Sequence, residues 1–186
     1  MMGRLFWLVT MAAAGVAVYL ITVLYVPGIL FRHTLNGATA GIQPNSFTIM
    51  KPEAQTALLA TSTRRDIVGL CLVDLSQGKV VIQASVPQGL WTFSVFDATG
   101  RQVYGLNDAE AASGTFTVEL SRARSILQQL TNKGGDTDDA AAIQNSGWHA
   151  ELSENTGLVV MWVPVADELR RPEIENVVKA TRCEPK

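Results

Sequence analysis

Reactive side chains are what this sequence has least of. Its two histidines, His33 and His149, lie far apart, and a zinc site would have to recruit both plus a carboxylate. Its two cysteines, Cys71 and Cys183, belong to no C-x-x-C and no zinc spacing. No Gly-x-Ser-x-Gly turn presents a nucleophile, because Ser113 precedes Gly114 but lacks the upstream glycine. Gly134-Gly135 is not followed by the Lys-Ser/Thr pair of a phosphate loop, and no G-x-G-x-x-G follows a strand. The 15 Lys+Arg against 17 Asp+Glu leave a net charge of −2, and the pairs Arg64-Arg65 and Arg170-Arg171 are isolated, which excludes the clustered cations of a nucleic-acid binder. No cofactor and no metal are expected, and the chain reads as a non-enzyme.

The other absence is of charge. None falls between Arg4 and Arg32, and Leu5 to Phe31 runs LFWLVTMAAAGVAVYLITVLYVPGILF. A soluble core helix of that length would carry a polar face, and none is visible. A helix from Leu5 to Val26 rises about 33 Å, against about 30 Å of bilayer hydrocarbon, and Pro27-Gly28 offers a place to end it. Thr10 and Thr22 are tolerable inside because a hydroxyl can bond the preceding turn's carbonyl, and Trp7, Tyr19 and Tyr25 include rings near both ends. Two other readings compete: a cleaved secretory signal ending at Ala38-Thr39-Ala40, and a buried hairpin of two short helices. The apolar run is far longer than a signal core, so an uncleaved single-pass anchor is the expectation. The positive charge bias is weak and slightly favours a cytoplasmic N-terminus, placing the C-terminal bulk outside.

Three regions follow: 1–31 as transmembrane signal anchor, 32–62 as juxtamembrane linker with a short helix at Glu53–Ala60, and 63–186 as a β-rich extracytoplasmic domain. About 155 residues beyond the anchor suffice for one core. Period-two alternation marks Leu90–Asp97, with Trp91, Phe93 and Val95 on one face, and Thr115–Leu120, with Phe116, Val118 and Leu120 on one face. Val80, Ile82, Ala84 and Val86 form a third such face. Ile67–Val73 and Leu158–Val163 are apolar on both sides and read as central strands. Glycine-bearing turns at Ser76-Gln77-Gly78, Pro87-Gln88-Gly89 and Ala98-Thr99-Gly100 recur about every 11 residues, the spacing of an antiparallel meander.

Two helices are expected beside the strands. Ser121–Leu130 can cap at Ser121 and stop at Asn132-Lys133-Gly134-Gly135. Near the end, Pro172 suits a first helical position, Ile174, Val177, Val178 and Thr181 share a face, and Glu175 can pair with Lys179. The fold class is therefore mainly β: an antiparallel sheet or sandwich with a C-terminal amphipathic helix, preceded by one transmembrane helix, α+β overall.

The cysteines leave two readings open. In an oxidising compartment Cys71 and Cys183 can form a disulfide that staples a terminal element to the core; in a cytosolic domain Cys71 is a small apolar core residue. Asp136-Thr137-Asp138-Asp139 lacks the glycine and distal glutamate of a calcium loop and reads as a solvated loop. Asp97, Asn107 and Asp108 border strand ends, where such residues usually bond their own backbone. With no reactive constellation in view, the leading reading is a membrane-anchored β-rich domain that binds a protein partner or a small ligand; the rival is an envelope enzyme whose acidic site forms where Asp97, Asp108 and His149 meet.

The run RRDIVGLCLVDLSQGKVVIQASVPQGLWTFSVFDATGRQVYGLND, Arg64 to Asp108, resembles the bacterial family known as domain of unknown function 1254. The shared order is an aspartate before a strand, Asp-Leu-Ser, a β run ending in Val-Pro, an aromatic strand closing in Phe-Asp, and Asn-Asp. The tail Gly157 to Pro185, with GLVVMWVPV, Arg-Pro and Arg-Cys, is similar to the end of short membrane-anchored members. The resemblance implies no catalytic residue; Asp74, Trp91 and Asp97 match the pattern as residues that shape strands. Longer relatives join this domain to a second β-rich domain, which implies a companion membrane protein carrying that half, besides the lipid bilayer itself.

Overall fold

Ile67–Asp74 and Thr156–Val163, the two runs apolar on both sides, lie side by side in the middle of a sheet. In the computed structural model, which describes residues 2–39, 41–58, 62–111, 114–123 and 147–186, the elements are α1 (Met2–Ala38), β1 (Phe47–Ile49), α2 (Pro52–Leu58), β2 (Ile67–Asp74), β3 (Val80–Val86), β4 (Thr92–Asp97), β5 (Gln102–Asn107), β6 (Gly114–Arg122), β7 (Trp148–Leu152), β8 (Thr156–Val163), α3 (Arg171–Lys179) and β9 (Arg182–Pro185). One sheet has the order β1-β2-β8-β4-β5, the other β7-β6-β3-β9. All pairings are antiparallel except β6 with β7, which is parallel. The fold is mainly β, two packed sheets with an apolar N-terminal helix and a short C-terminal one.

Double-sided apolarity has a physical cause. Ile67, Cys71 and Val73 of β2, with Val159, Met161 and Val163 of β8, face the second sheet and join its Val80, Ile82, Ala84, Val118 and Leu120 in one core. Their alternates Val68, Leu70, Leu158 and Val160 point the other way, into a smaller cluster closed by Phe31 and Leu35 of α1 and Ala54 of α2. The outer face of the first sheet is thus covered by helices, so both strand faces are dry. On β3 only one face is dry, and Gln83 is exposed.

The even turn spacing does not produce a meander. Only Ala98-Thr99-Gly100 closes a hairpin, between β4 and β5. The turns at 76–78 and 87–89 carry the chain across the sandwich, from β2 to β3 and back to β4. Spacing fixes where a chain reverses; burial on both faces decides which strands become neighbours, and β2 is claimed by β8.

Three further expectations are corrected. Pro27 does not end α1, which continues to Ala38, because the turns beyond it are held against the sandwich. The stretch 32–62 is not a free linker: Asn45, in the left-handed region at φ 55°, exchanges side-chain bonds with the Asp74 backbone (2.9 and 2.8 Å), and β1 then pairs with β2. Phe47 lies across Gly69, where a β-carbon would overlap its ring. Ser121 does not cap a helix; Ser121 and Arg122 end strand β6, paired to Glu151 and Leu152, and the rest of the expected helix, 124–130, lies outside the described residues. Residues Asp136 to Asp139, the Gly134-Gly135 stop and Ser113 lie outside them too. The C-terminal helix is present, with Pro172 in its first turn, Ile174 and Val178 buried and Lys179 bonded to Glu175 at 2.8 Å.

Candidate functional site at the foot of the sandwich

The end of the sandwich that meets α1 is built from the β4–β5 turn. Asp97 closes β4 with its side chain 2% exposed. Its carboxylate accepts from the Thr99 amide (2.9 Å) and hydroxyl, from the Arg101 amide (3.0 Å) and from the Arg101 guanidinium (3.1 Å). Burial alone would push this carboxyl up, but the donors from Thr99 and Arg101 together hold it below the usual aspartate value. Asp97 is therefore a turn clamp. The clamped turn places Gly100 in the left-handed region, φ 86°, and turns its bare backbone toward Phe31, whose ring occupies the space a β-carbon would need.

On the helix side the contacts follow one face. Gly28, Phe31 and Leu35, at i, i+3 and i+7, are partly buried, while Ile29 and Leu30 stay exposed. The Thr99 carbonyl lies beside Gly28, 4.0 Å from where a β-carbon would stand. The Arg32 guanidinium donates from Nε to the Ala98 carbonyl (3.2 Å) and pairs with Glu154 (3.4 Å). Two cavities share Arg32. One, of about 490 Å³, runs along the helix past Leu24, Tyr25 and Ile29 to Thr99. The other, of about 380 Å³, lies between Leu35, Pro44 and the ends of β2 and β8, with Asp74 and Glu154 on its rim. A third groove, of about 450 Å³, lies between β1 and α3, with Lys51, Glu175 and Lys179 along it.

N-terminal to this seat none of the described residues packs against α1. Phe6–His33 is long and apolar enough to cross a membrane, and the apolar side chains from Phe6 to Leu24 are exposed. Thr10 and Thr22 donate to the carbonyls of Phe6 and Val18, each at 2.9 Å, so both threonine hydroxyls are satisfied by the helix itself.

In sequence the chain matches no protein-family model, and no curated protein is similar to it. In structure it is similar to the VPA0106 protein from Vibrio parahaemolyticus, with a TM-score of 0.59 at 8% identity over 87% of this chain and 36% of that one. It is also similar to an uncharacterised protein from Burkholderia cenocepacia, with a TM-score of 0.50 at 12% identity over 83% of this chain and 38% of that one. These likenesses establish the fold, and this chain spans little more than a third of each neighbour's length.

The strand-end acids do not form a site together. Asp97 ends β4 beside the foot, whereas Asn107 closes β5 at its far end, paired with Thr92, and Asp108 follows it. Five strand residues separate those ends by about 17 Å. Asn107 instead accepts from the amides of Ala109 (2.9 Å) and Glu110 (3.2 Å), shaping its own turn. His149 belongs to the second sheet, 3.1 Å from the Ser121 hydroxyl and 3.8 Å from Glu151. His33 is exposed on α1. Among the described residues no group of three or more His, Cys, Asp or Glu gathers as a metal would require.

The remaining singled-out residues serve the fold. Trp91 is buried and stacks on Phe116, centroids 5.3 Å apart. Asp74 accepts from the Ser76 amide (2.9 Å), the main cause of a carboxyl below its usual value. Cys71 and Cys183 are joined, their Cα atoms 6.5 Å apart, tying β9 to β2 across the core. Sequence reasoning missed the Arg32–Glu154 contact, because the partners are 122 residues apart and carry no local signal. It also gave no role to Asp66, which is buried and binds the Thr63 amide (2.7 Å) and the Trp162 indole (3.1 Å), bracing the corner before β2.

Proposed function

We propose that this protein is a single-pass bacterial inner-membrane protein that mounts a β-sandwich on the periplasmic side to bind another envelope protein. The observation that carries this reading is the bare apolar length of α1: side chains such as Val16 and Leu24, 58% and 72% exposed, leave a large apolar surface that none of the described residues covers and that lipid would. The Cys71–Cys183 bond supports the periplasmic side, since such a bond persists in an oxidising compartment.

The partner we infer is a companion membrane protein with a second β-rich domain, as the resemblance to domain of unknown function 1254 suggests. Both structural neighbours carry this fold within a chain more than twice as long, which supports a sandwich that works beside further structure. A binding role is favoured over catalysis because Asp97 is consumed by its own turn and Asp108 lies at the other end of the hairpin. The test is a C-terminal phosphatase fusion combined with alkaline extraction of membranes. Phosphatase activity with the chain retained in the pellet is expected; an inactive fusion, or release of the intact chain into the aqueous fraction, would reject the reading.

A further inference from the structure

The crevice at the joint between α1 and the sandwich changes character along its length. Its lower part is apolar, at Val23 and Leu24; Tyr25 follows; and its upper part carries the Arg32 guanidinium and Thr99. From Val23 to Arg32 the helix climbs about 13 Å. If the hydrocarbon layer starts near Phe6, about 20 residues bring its other boundary to Tyr25 or Val26, so the crevice runs from acyl chain to headgroup level. Tyrosine favours that boundary and arginine lies where a phosphodiester would be.

Arg32 has donors to offer. Among the described residues its Nε binds Ala98 and one Nη2 contact at 3.4 Å reaches Glu154, whereas a guanidinium carries five N–H groups. The pair with Glu154 is loose, its side chains 57% and 46% exposed, so a phosphate can share the guanidinium at little cost. Glu154 also sets the sign of the ligand. It nearly cancels the charge of Arg32, which removes any advantage for an acidic headgroup, and it offers an acceptor to a primary ammonium. Resting on the reading of α1 as a membrane span, we propose that this crevice binds one zwitterionic aminophospholipid, its phosphate on Arg32 and its ammonium reaching past Arg32 to Glu154, which stands 3.4 Å from the guanidinium on the rim of the adjoining cavity. The bound lipid and the Phe31–Gly100 contact then seat the sandwich on the bilayer in one orientation, with the β4–β5 turn among the headgroups.

The experiment uses the full chain in vesicles of phosphatidylcholine alone, or with phosphatidylethanolamine or phosphatidylglycerol added. With the native cysteines bonded, Ser153→Cys, beside Glu154, and Gln88→Cys, in the turn at the opposite end of β4, each add one free thiol for a fluorophore. A headgroup-attached nitroxide is expected to quench the label at 153 and leave the label at 88 bright. Phosphatidylethanolamine is expected to be retained by the detergent-purified protein over phosphatidylglycerol, with Arg32→Gln weakening retention about tenfold, the loss of one charge-assisted bond. Equal quenching at both positions, preference for phosphatidylglycerol, or retention unchanged in Arg32→Gln would overturn the proposal. Flotation of the vesicles at alkaline pH separates the two levels: protein left at the bottom rejects the span itself, whereas protein that floats without these signatures rejects only the lipid site.

Discussion

The parts of α1 on either side of Pro27 lie in opposite surroundings, although the apolar run passes unbroken from one into the other as far as Phe31. From Phe6 to Val26 every large apolar side chain described is at least 40% exposed, whereas after Pro27 the face formed by Gly28, Phe31 and Leu35 is pressed against the sandwich. The first half depends on what lies outside the chain; the second belongs to the domain. The difference shows that the helix boundary and the domain boundary need not coincide. A proline can stand inside a helix when packing of the turns beyond it offsets the hydrogen bond it removes. A folded module joined this way is held in one pose instead of swinging on a tether.

The sharpest test of that division attacks the domain and spares the span. Replacing both Cys71 and Cys183 with alanine removes a cross-link between residues 112 apart and is expected to cost the sandwich about 2 to 5 kcal/mol. Thermal unfolding followed by near-ultraviolet circular dichroism reads the loss, while resistance to alkaline extraction stays unchanged. Simultaneous loss of extraction resistance would mean that the halves are not independent. The converse substitution, Val16→Arg, puts a charge near the middle of the exposed stretch and is expected to make insertion about 3 kcal/mol less favourable. The released fraction should rise with the melting temperature of the sandwich unmoved.

At the joint itself the expected effect is smaller. Gly100→Val forces a branched side chain into a left-handed position, φ 86°, and against the Phe31 ring, for a cost of about 2 kcal/mol. Amide exchange in residues 28–35 should quicken while exchange in β2 and β8 stays slow. Phe31→Ala should produce the same local signature, and because the two residues touch, the double variant should cost less than the sum. Additive costs would indicate that ring and turn do not support each other.

What was legible in the sequence follows a physical line between inner and edge strands. β2, β3, β4, β6 and β8 are all inner strands, and each is evident from alternation or a continuous apolar run. The strands at the four edges, β1, β5, β7 and β9, are not. They are short, or, like Gln102–Asn107, polar at both ends, interrupted by a glycine and only partly buried, because an edge strand has a neighbour on one side only and its pattern dilutes into that of a loop. Ser121 illustrates the same limit from the other side, since a good helix-capping residue became the end of β6 once a parallel partner was available. The foot of the sandwich was visible only in parts. Asp97 and the Thr99-Gly100 turn stood out, but Phe31 looked like one more residue of the apolar run until the sandwich came up against it.

The smallest effect separates the joint from the rest by pH. The Asp97 carboxyl is held below its usual value at the foot, and Glu119, between Lys79 and Lys186 at 2.8 Å each on the second sheet, is lowered from 4.5 to about 2. A carboxyl that is more acidic folded than unfolded stabilises the fold above its unfolded pKa, and that contribution fades as pH falls through the folded value. For Glu119 the fading spans pH 4.5 to about 2. Its lysines are 53% and 61% exposed, so solvent screening limits the loss to about 1 kcal/mol. Asp97 fades below 3.8, and protonation there frees the turn that carries Gly100. On acidification, exchange in residues 28–35, corrected for the slower intrinsic exchange of amides in acid, should quicken in the native protein and in Glu119→Gln alike, because Glu119 is bonded to Lys79 and Lys186 on the second sheet. In Asp97→Asn, where the clamp carries no charge, that exchange should be faster at neutral pH already and respond little to acid. A joint that loosens with Glu119→Gln would place its control on the second sheet and undo the assignment of Asp97 as its clamp.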